Sequence, residues 1–336
     1  MPPHNSQKVQ MKAIIATGYG SADVLKLVEI DKPLPKCDEV LVKIQVTNVT
    51  AADTMMRRGV PRCLRPLLGT TKPRNPVPGT GLSGSVEAVG SAVTRFQVGD
   101  EVYGEAGVKF GAHAEYVCVA EDGAINKKPA PLSFQDAAVM CDGPLTSLNF
   151  LKRMAKVEAG QKVLINGASG SLGSAAVQLA LAFGAQVTAV CSTANVELVK
   201  ALGAHEVIDY TKEDFTTNVG TYDVIYDTVG TSSYGRAKRA LTRQGKYLSP
   251  VLTMKLLFCM LCTSLFGKKK AMFDATGLRP AVQLRAFLAE LEELVEDGKL
   301  RLITERSFPL EQIAEAHKHV DSGRKKGNVI VCLASA

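Results

Sequence analysis

Gln161-Lys-Val-Leu-Ile-Asn-Gly-Ala-Ser-Gly-Ser-Leu-Gly173, with the Ala/Leu/Val-rich run that carries it on to Gly184, is the stretch whose reading decides the fold. Val163, Leu164 and Ile165 form a short apolar run that reads as a buried strand, and Ala175, Ala176, Leu179, Ala180 and Phe183 recur at helical spacing before Gly184 stops the helix. Strand, glycine turn and helix together make the unit that cradles a dinucleotide pyrophosphate. Glycines let the backbone approach the phosphates, and the unpaired N–H groups at the helix start bind their charge. Of the G-x-G-x-x-G fingerprint, Ala168 replaces the first glycine while Gly170 and Gly173 keep the other two. Any tight strand-to-helix turn uses glycine, so the context has to decide. Strand patterns at 185–191, 206–209, 223–226 and 246–249 alternate with helical patterns at 171–183, 195–202 and 231–243. That alternation predicts a parallel sheet with crossover helices.

Working outward, 336 residues give room for two domains, and a composition of 46% hydrophobic and 22% charged residues is that of a globular protein. The net charge of +7 is scattered rather than striped, its longest cluster is Lys268-Lys269-Lys270, and there is no Trp for base stacking. A nucleic-acid partner is therefore not expected. Eight cysteines show no paired framework and residues 1–10 are polar, a loose tail without an apolar secretory core. Buried free thiols in a reducing, cytoplasmic setting are the expectation. Cys259-x-x-Cys262 has no second pair and lies in an apolar run, so it reads as packing rather than metal binding.

Ahead of this unit the pattern is short strands and turns: 12–16, 25–29, 39–46, 84–89, 101–103 and 115–119, an all-β domain read as a partly closed barrel. Ser133 caps a helix through 135–140, and another spans 145–155. Beyond the nucleotide unit come an apolar stretch at 251–266 and a helix over 280–297 that turns Leu284, Leu288, Leu291 and Val295 to a core. A strand at 300–303, a helix at 310–320 and a strand at 328–332 end the pattern.

Several segments in order resemble the medium-chain dehydrogenase/reductase superfamily, closest to its zinc-free quinone oxidoreductase branch with the reticulon-interacting-protein-like and enone reductases. They are Val77-Pro-Gly-Thr-Gly-Leu-Ser-Gly84, Phe96-Gln-Val-Gly-Asp-Glu-Val102, Asp142-Gly-Pro-Leu-Thr146, Asn166 to Gly173, Leu202-Gly-Ala204 with Val207-Ile-Asp-Tyr210, and Asp223 to Gly230. The resemblance implies an α/β fold, a doubly wound Rossmann sheet beside a GroES-like β-barrel, with the active cleft between them. It divides the chain into a barrel domain of residues 11–133 with 300–336 and a nucleotide-binding domain of residues 134–299. Zinc members need a Cys after the third strand and a His near the position of Thr80. Here those regions read Asn48-Val-Thr-Ala-Ala-Asp53 and Pro78-Gly-Thr-Gly-Leu-Ser83, so no metal is expected. His113, His317 and His319 are the remaining candidates and are expected to be solvated surface side chains.

At the end of the second Rossmann strand an NAD enzyme places an acid against the ribose 2′-hydroxyl. This chain has Cys191-Ser-Thr-Ala-Asn195 and no acid until Glu197, which points to NADPH. Similar reductases put a serine and a tyrosine near the 2′-phosphate, corresponding to Ser192 and Tyr210. Ala194 and Asn195 hold the places of their usual cation, and Lys200 is either its substitute or a surface residue. The cofactor contacts implied by the resemblance are Thr146, the turn Ala168, Ser169, Gly170, Ser171, Leu172 and Gly173, then Ser192, Thr193, Asn195, Tyr210, Val229 in the turn 227–230, and Asn328 in Lys326-Gly-Asn328. Thr146 has a second reading as a helix cap. Asn48 and Asp53 are the implied substrate-facing groups, Asp53 also being placed to cap the short helix with Met55 and Met56. Met55 stands where some quinone reductases carry a tyrosine, so no proton donor is assigned and water is expected to supply the proton.

The implied activity is zinc-independent hydride transfer from NADPH to quinones or α,β-unsaturated carbonyls. The alternatives are a non-catalytic NADPH-binding sensor or scaffold and an enoyl-thioester reductase. The 16 residues from Val251 to Phe266 fall short of the roughly 20 that span a bilayer, and Lys255 interrupts them. The stretch reads as a helix beside the cleft followed by a strand at 270–273 in a homodimer, with an interfacial membrane helix as the competing reading.

Overall fold

The computed structural model describes residues 9–60, 62 and 65–333. The first part is a hairpin of β1 (Gln10–Ala16) and β2 (Leu25–Asp31), then β3 (Glu39–Asn48) and the helices α1 (Ala51–Arg58) and α2 (Arg65–Leu68). Next come β4 (Gly81–Val89), β5 (Glu101–Glu105), β6 (Tyr116–Ala120) and β7 (Ala124–Lys127). Two helices cross to the second part, α3 (Phe134–Met140) and α4 (Gly143–Leu148), the latter running on into a π-helical segment, Asn149–Ala155.

The second part alternates β8 (Lys162–Asn166), α5 (Ser171–Ala182), β9 (Gln186–Cys191), α6 (Val196–Ala201), β10 (Glu206–Asp209) and β11 (Tyr222–Asp227). It continues with α7 (Tyr234–Ala237), β12 (Leu241–Leu248), α8 (Met254–Phe266), β13 (Lys270–Met272) and α9 (Ala281–Glu296). Finally β14 (Thr304–Pro309), α10 (Ile313–Asp321) and β15 (Asn328–Cys332) follow.

The six strands of the second part form one parallel sheet in the order β10-β9-β8-β11-β12-β13. This is the doubly wound order, whose direction of winding reverses at β8 and β11 and opens a crevice at their carboxyl ends. Leu164, Ile165, Val187, Ala189 and Val224 are fully or almost fully buried, as expected for strands covered on both faces. The other sheet, β14-β15-β3-β4-β5-β7 with β6 also on β3, is the GroES-like barrel. β15 lies antiparallel to β3 with Ile330 opposite Asn48, so the carboxyl-terminal strands complete a sheet begun near the amino end. α3 joins the two parts: Asn48 Nδ2 donates to the Ala138 carbonyl at 3.0 Å, and Ser83 Oγ to the Phe134 carbonyl at 2.6 Å.

The helix expected over 231–243 is only the four-residue α7, because Leu241 already extends to pair with Tyr222. Residues 300–303 are not a strand: Leu300 is buried, Leu302 and Ile303 pack on the same nucleotide-side core, and the strand begins at Thr304. The helix expected at 145–155 begins at Gly143 and changes to π geometry at Asn149. The thiols are not uniformly buried either, since Cys37 and Cys262 are exposed. The loose tail expected at 1–10 falls almost wholly outside the described residues, and β1 begins at Gln10.

Candidate active site

The crevice is built around the turn after β8. Gly167 has φ +81°, and both its N–H and that of Ala168 reach the Val190 carbonyl at 3.1 and 3.0 Å, tying the turn to β9. Gly170 caps α5 without a side-chain partner, so the first N–H groups of that helix stay open. A Cβ on Gly173 would come within 2.1 Å of the Gly167 carbonyl oxygen, which fixes why α5 starts so close to the strand. Opposite the turn, Val229 overhangs Gly167, and Thr228 donates to the Asn166 carbonyl at 2.8 Å. Asp227 holds this second loop: it is buried and accepts from Asn166 Nδ2 at 2.8 Å, Tyr247 at 2.7 Å and the backbone N–H groups of Gly230 and Ser232 at 3.0 Å each.

The loop before β15 docks on the same turn, its Gly327 N–H donating to the Ser169 carbonyl at 2.9 Å. Ser171 Oγ, on the first residue of α5, lies 2.5 Å from Asp142 Oδ2 and 2.6 Å from Asn328 Oδ1. Lys325 Nζ is buried, makes no hydrogen bond, and sits 3.9 Å from Asp142, a charge contact too long for a hydrogen bond. Thus a helix start, a cation and open N–H groups converge, the arrangement a pyrophosphate needs. Leu172 and Thr146 lie in the adjoining first turns. Thr146 is half-buried inside α4 rather than a cap, beside Ser147, whose hydroxyl donates to the Leu172 carbonyl at 2.8 Å.

At the far end of the crevice the Asn195 amide donates to Ser169 Oγ at 2.9 Å and Ser192 Oγ at 3.3 Å, and its own Oδ1 is buried without a partner. Thr193 donates to Asp209 at 2.6 Å. That hydrogen bond, with those from Thr211, holds the Asp209 carboxyl at about 2, well below its ordinary range. The neighbouring strand therefore brings an acid that the 191–197 segment does not reveal. Tyr210 follows it and is 61% exposed. Lys200 does not reach this knot: its ammonium pairs with Glu197 at 3.0 Å on the outer face of α6.

On the barrel side, Asn48 is buried with Oδ1 unpartnered, and its side chain fills the place a Cβ on Gly81 would take. Asp53 is turned inward as a cap: Thr50 and Asp53 form a capping box on α1, with Thr50 N–H and Oγ each 2.8 Å from Asp53 Oδ2. Burial raises the Asp53 pKa against the opposing influence of His113 and these hydrogen bonds. His113 and His317 are not surface histidines. Both are buried, with rings edge-to-face at 5.6 Å, and His113 Nε2 lies 3.0 Å from the Asn48 carbonyl. Among the described residues His317 has no hydrogen-bond partner at either nitrogen; burial, then His113 and Arg57, holds it neutral with its pKa lowered to about 2. His319 instead meets Glu305 at 2.8 Å.

Zinc does not fit this donor set. Among the described residues no three His, Cys, Asp or Glu side chains gather as ligands, Thr50 is spent on its cap, and His113 Nε2 on a carbonyl. The sequence does not single out Glu105, Asp142 or Lys325 as groups of the crevice, whereas Asp227 opens the turn 227–230 to which the resemblance points.

Two family descriptions match the chain, "Alcohol dehydrogenase GroES-like domain" over residues 36–130 and "Zinc-binding dehydrogenase" over residues 202–331. A 2-methylene-furan-3-one reductase of Solanum lycopersicum is 33% identical, the match covering 96% of this chain and 79% of the relative. An NADPH-dependent alkenal/one oxidoreductase, chloroplastic, of Arabidopsis thaliana is 31% identical over 96% of this chain and 79% of its own. The solved quinone oxidoreductase from Coxiella burnetii superposes with a TM-score of 0.86 at 30% identity, over 97% of this chain and all of that one. No helix of the described residues is long and apolar enough to cross a membrane.

Proposed function

Because the chain belongs to the medium-chain dehydrogenase/reductase superfamily, matching its quinone and enone reductases over nearly its whole length, we propose that it is a zinc-independent, NADPH-dependent reductase of quinones or α,β-unsaturated carbonyls. The observation that carries the reading is the crevice itself: open N–H groups of α5, the close Gly167–Gly173 approach and the Lys325 ammonium, held only by its charge contact with Asp142, at one point. NADPH, when bound, supplies the hydride. The chain's part is to bind, align and keep water out.

The turn from Ala168 to Gly173 and Lys325 hold the pyrophosphate, and Ser192, Thr193, Asn195 and Tyr210 surround the 2′-phosphate. The Asp209 carboxylate does not counter this, because Thr193, Thr211 and Lys212 already occupy it. Thr146, Val229 and Asn328 border the nicotinamide end. Asn48 faces the acceptor, and Asp53 acts through the α1 cap that positions it. The barrel domain comprises 11–133 with 300–336 and the nucleotide domain 134–299, and the seven described cysteines, all free, suit a reducing cytoplasm. The protein forms a homodimer through the open edge of β13 and the apolar outer face of α8.

The test is NADPH oxidation by the purified protein with a panel of quinones and enones, repeated with NADH. Turnover with several acceptors and a preference for NADPH is expected. Tight NADPH binding without turnover of any acceptor favours the sensor or scaffold reading instead.

A further inference from the structure

β5 ends on Glu105, a buried carboxyl that has no hydrogen bond or ion pair among the described residues. Its backbone stands opposite Gly81 on β4. Side chains of directly paired residues share a face, so Glu105 projects to the side on which Asn48 fills the space above Gly81. Asn48, Gly81 and Glu105 thus form a row across β3, β4 and β5 on the barrel face that meets α3 and the nucleotide side. From the other side, a Cβ on Gly277 would meet Glu105 Oε2 at 3.5 Å, so glycine there leaves the carboxyl room.

The titratable groups whose charges act on Glu105 are Asp142 ahead of α4 and Asp53 on α1, and Glu105 in turn acts on Cys141 at the end of α3. Two of them have donors: Asp142 has the Ser171 hydroxyl and the nearby Lys325 ammonium, Asp53 has Thr50. Glu105 has none. Burial first, then the charges of Asp142 and Asp53, raise its pKa to about 8, so it keeps its proton at neutral pH. Carboxyls whose surroundings divide them into a charged and a neutral member are how a site makes an acid. Asp142 touches Ser171 on the first residue of α5, so the charge that acts on Glu105 sits at the glycine turn.

Resting on the reductase reading above, we infer that Glu105 is the proton donor that completes the reduction. A bound reduced nicotinamide would supply the hydride for the β-carbon of the enone, being oxidised in turn, and the electron pair left delocalised from the α-carbon to oxygen would need a proton. The O–H bond of Glu105 breaks, its proton forms the new C–H bond at the α-carbon (or the O–H of a quinol), and the carboxylate regains a proton from water. Asn48, beside it in the row, orients the carbonyl.

The variants Glu105→Gln and Glu105→Asp test this with readouts that separate it from the parent reading. Glu105→Gln is expected to bind NADPH within about twofold of the unmodified protein while kcat falls roughly a hundredfold, with partial recovery in Glu105→Asp. In D2O the unmodified protein places deuterium on one face of the α-carbon, and Glu105→Gln on both. Without cofactor or substrate, the infrared spectrum at neutral pH carries a neutral-carboxyl band that disappears in Glu105→Gln and on raising the pH past about 8. Unchanged kcat and facial selectivity in Glu105→Gln overturns the inference, as does an infrared spectrum indifferent to the substitution. No turnover by the unmodified protein with any acceptor overturns the reductase reading, and the inference with it, whereas the infrared band by itself decides only whether Glu105 holds a proton.

Discussion

The carbonyl oxygen of Gly167 occupies the place of any Cβ on Gly173, at 2.1 Å, so the first turn of α5 rests directly on the backbone of the glycine turn. A side chain there must push helix from strand, and the N–H groups proposed to face the pyrophosphate move with the helix. Gly173→Val is therefore expected to weaken NADPH binding by at least a hundredfold while circular dichroism shows a folded chain. Unaltered affinity would show that the turn does not hold the cofactor.

Ser192 lies at the other end of the same crevice, within 3.3 Å of the Asn195 amide. Ser192→Asp places a carboxylate where the 2′-phosphate is proposed to sit and should erase or reverse the preference for NADPH over NADH. A tenfold change corresponds to about 1.4 kcal/mol. Cofactor titration of both proteins checks it, and equal affinity for the two cofactors in the unmodified protein would refute the assignment.

α8 leaves Met254, Leu257, Phe258, Leu261 and Leu265 exposed along one stripe, ending at Phe266 with 90% of its surface open. Leu257→Asp combined with Leu261→Asp should shift the protein toward monomer in sedimentation and lower kcat/KM for bulky quinones several-fold before NADPH affinity changes. A monomeric unmodified protein that sediments with lipid vesicles would point to a membrane surface instead.

His317 gives the stability a pH dependence of known sign. Its folded pKa, about 2, lies below the unfolded value of 6.5, so on acidification the unfolded chain takes up a proton that the folded one refuses. Stability is thus lost as pH falls below about 6.5, each pH unit through this window removing up to about 1.4 kcal/mol. Replacing His317 by Leu should flatten the fall in Tm between pH 7 and pH 5. An equally steep fall in that variant would assign the acid sensitivity to other groups.

Much of the fold is legible because its elements are locally specified. Val163 to Ile165, the glycines after them and the Leu284, Leu288, Leu291 stripe each carry their own period, and the strand 328–332 lies where the pattern puts it. The failures are tertiary. Residues 231–243 read as helical, yet pairing of Leu241 with Tyr222 wins over the helical pattern. His113 and His317 look like surface residues until the packing of α10 against the barrel buries both. The strand–turn–helix unit around Gly167 to Gly173 could be read because its residues are contiguous. Glu105, Asp142 and Lys325 could not, because they meet only through strand register and loop docking.

The pairing of Ile330 with Asn48 also orders events during synthesis. A chain emerging from the ribosome makes β3 early, but the strand that lies against its end, and the Gly327 contact that docks on the glycine turn, are translated about 280 residues later. The nucleotide-side sheet, contiguous from β8 to β13, is free to form before then, whereas the barrel waits with an open edge. A nascent chain halted before residue 325 thus presents an unpaired strand and an uncovered turn, a species for chaperones to hold rather than a slow enzyme.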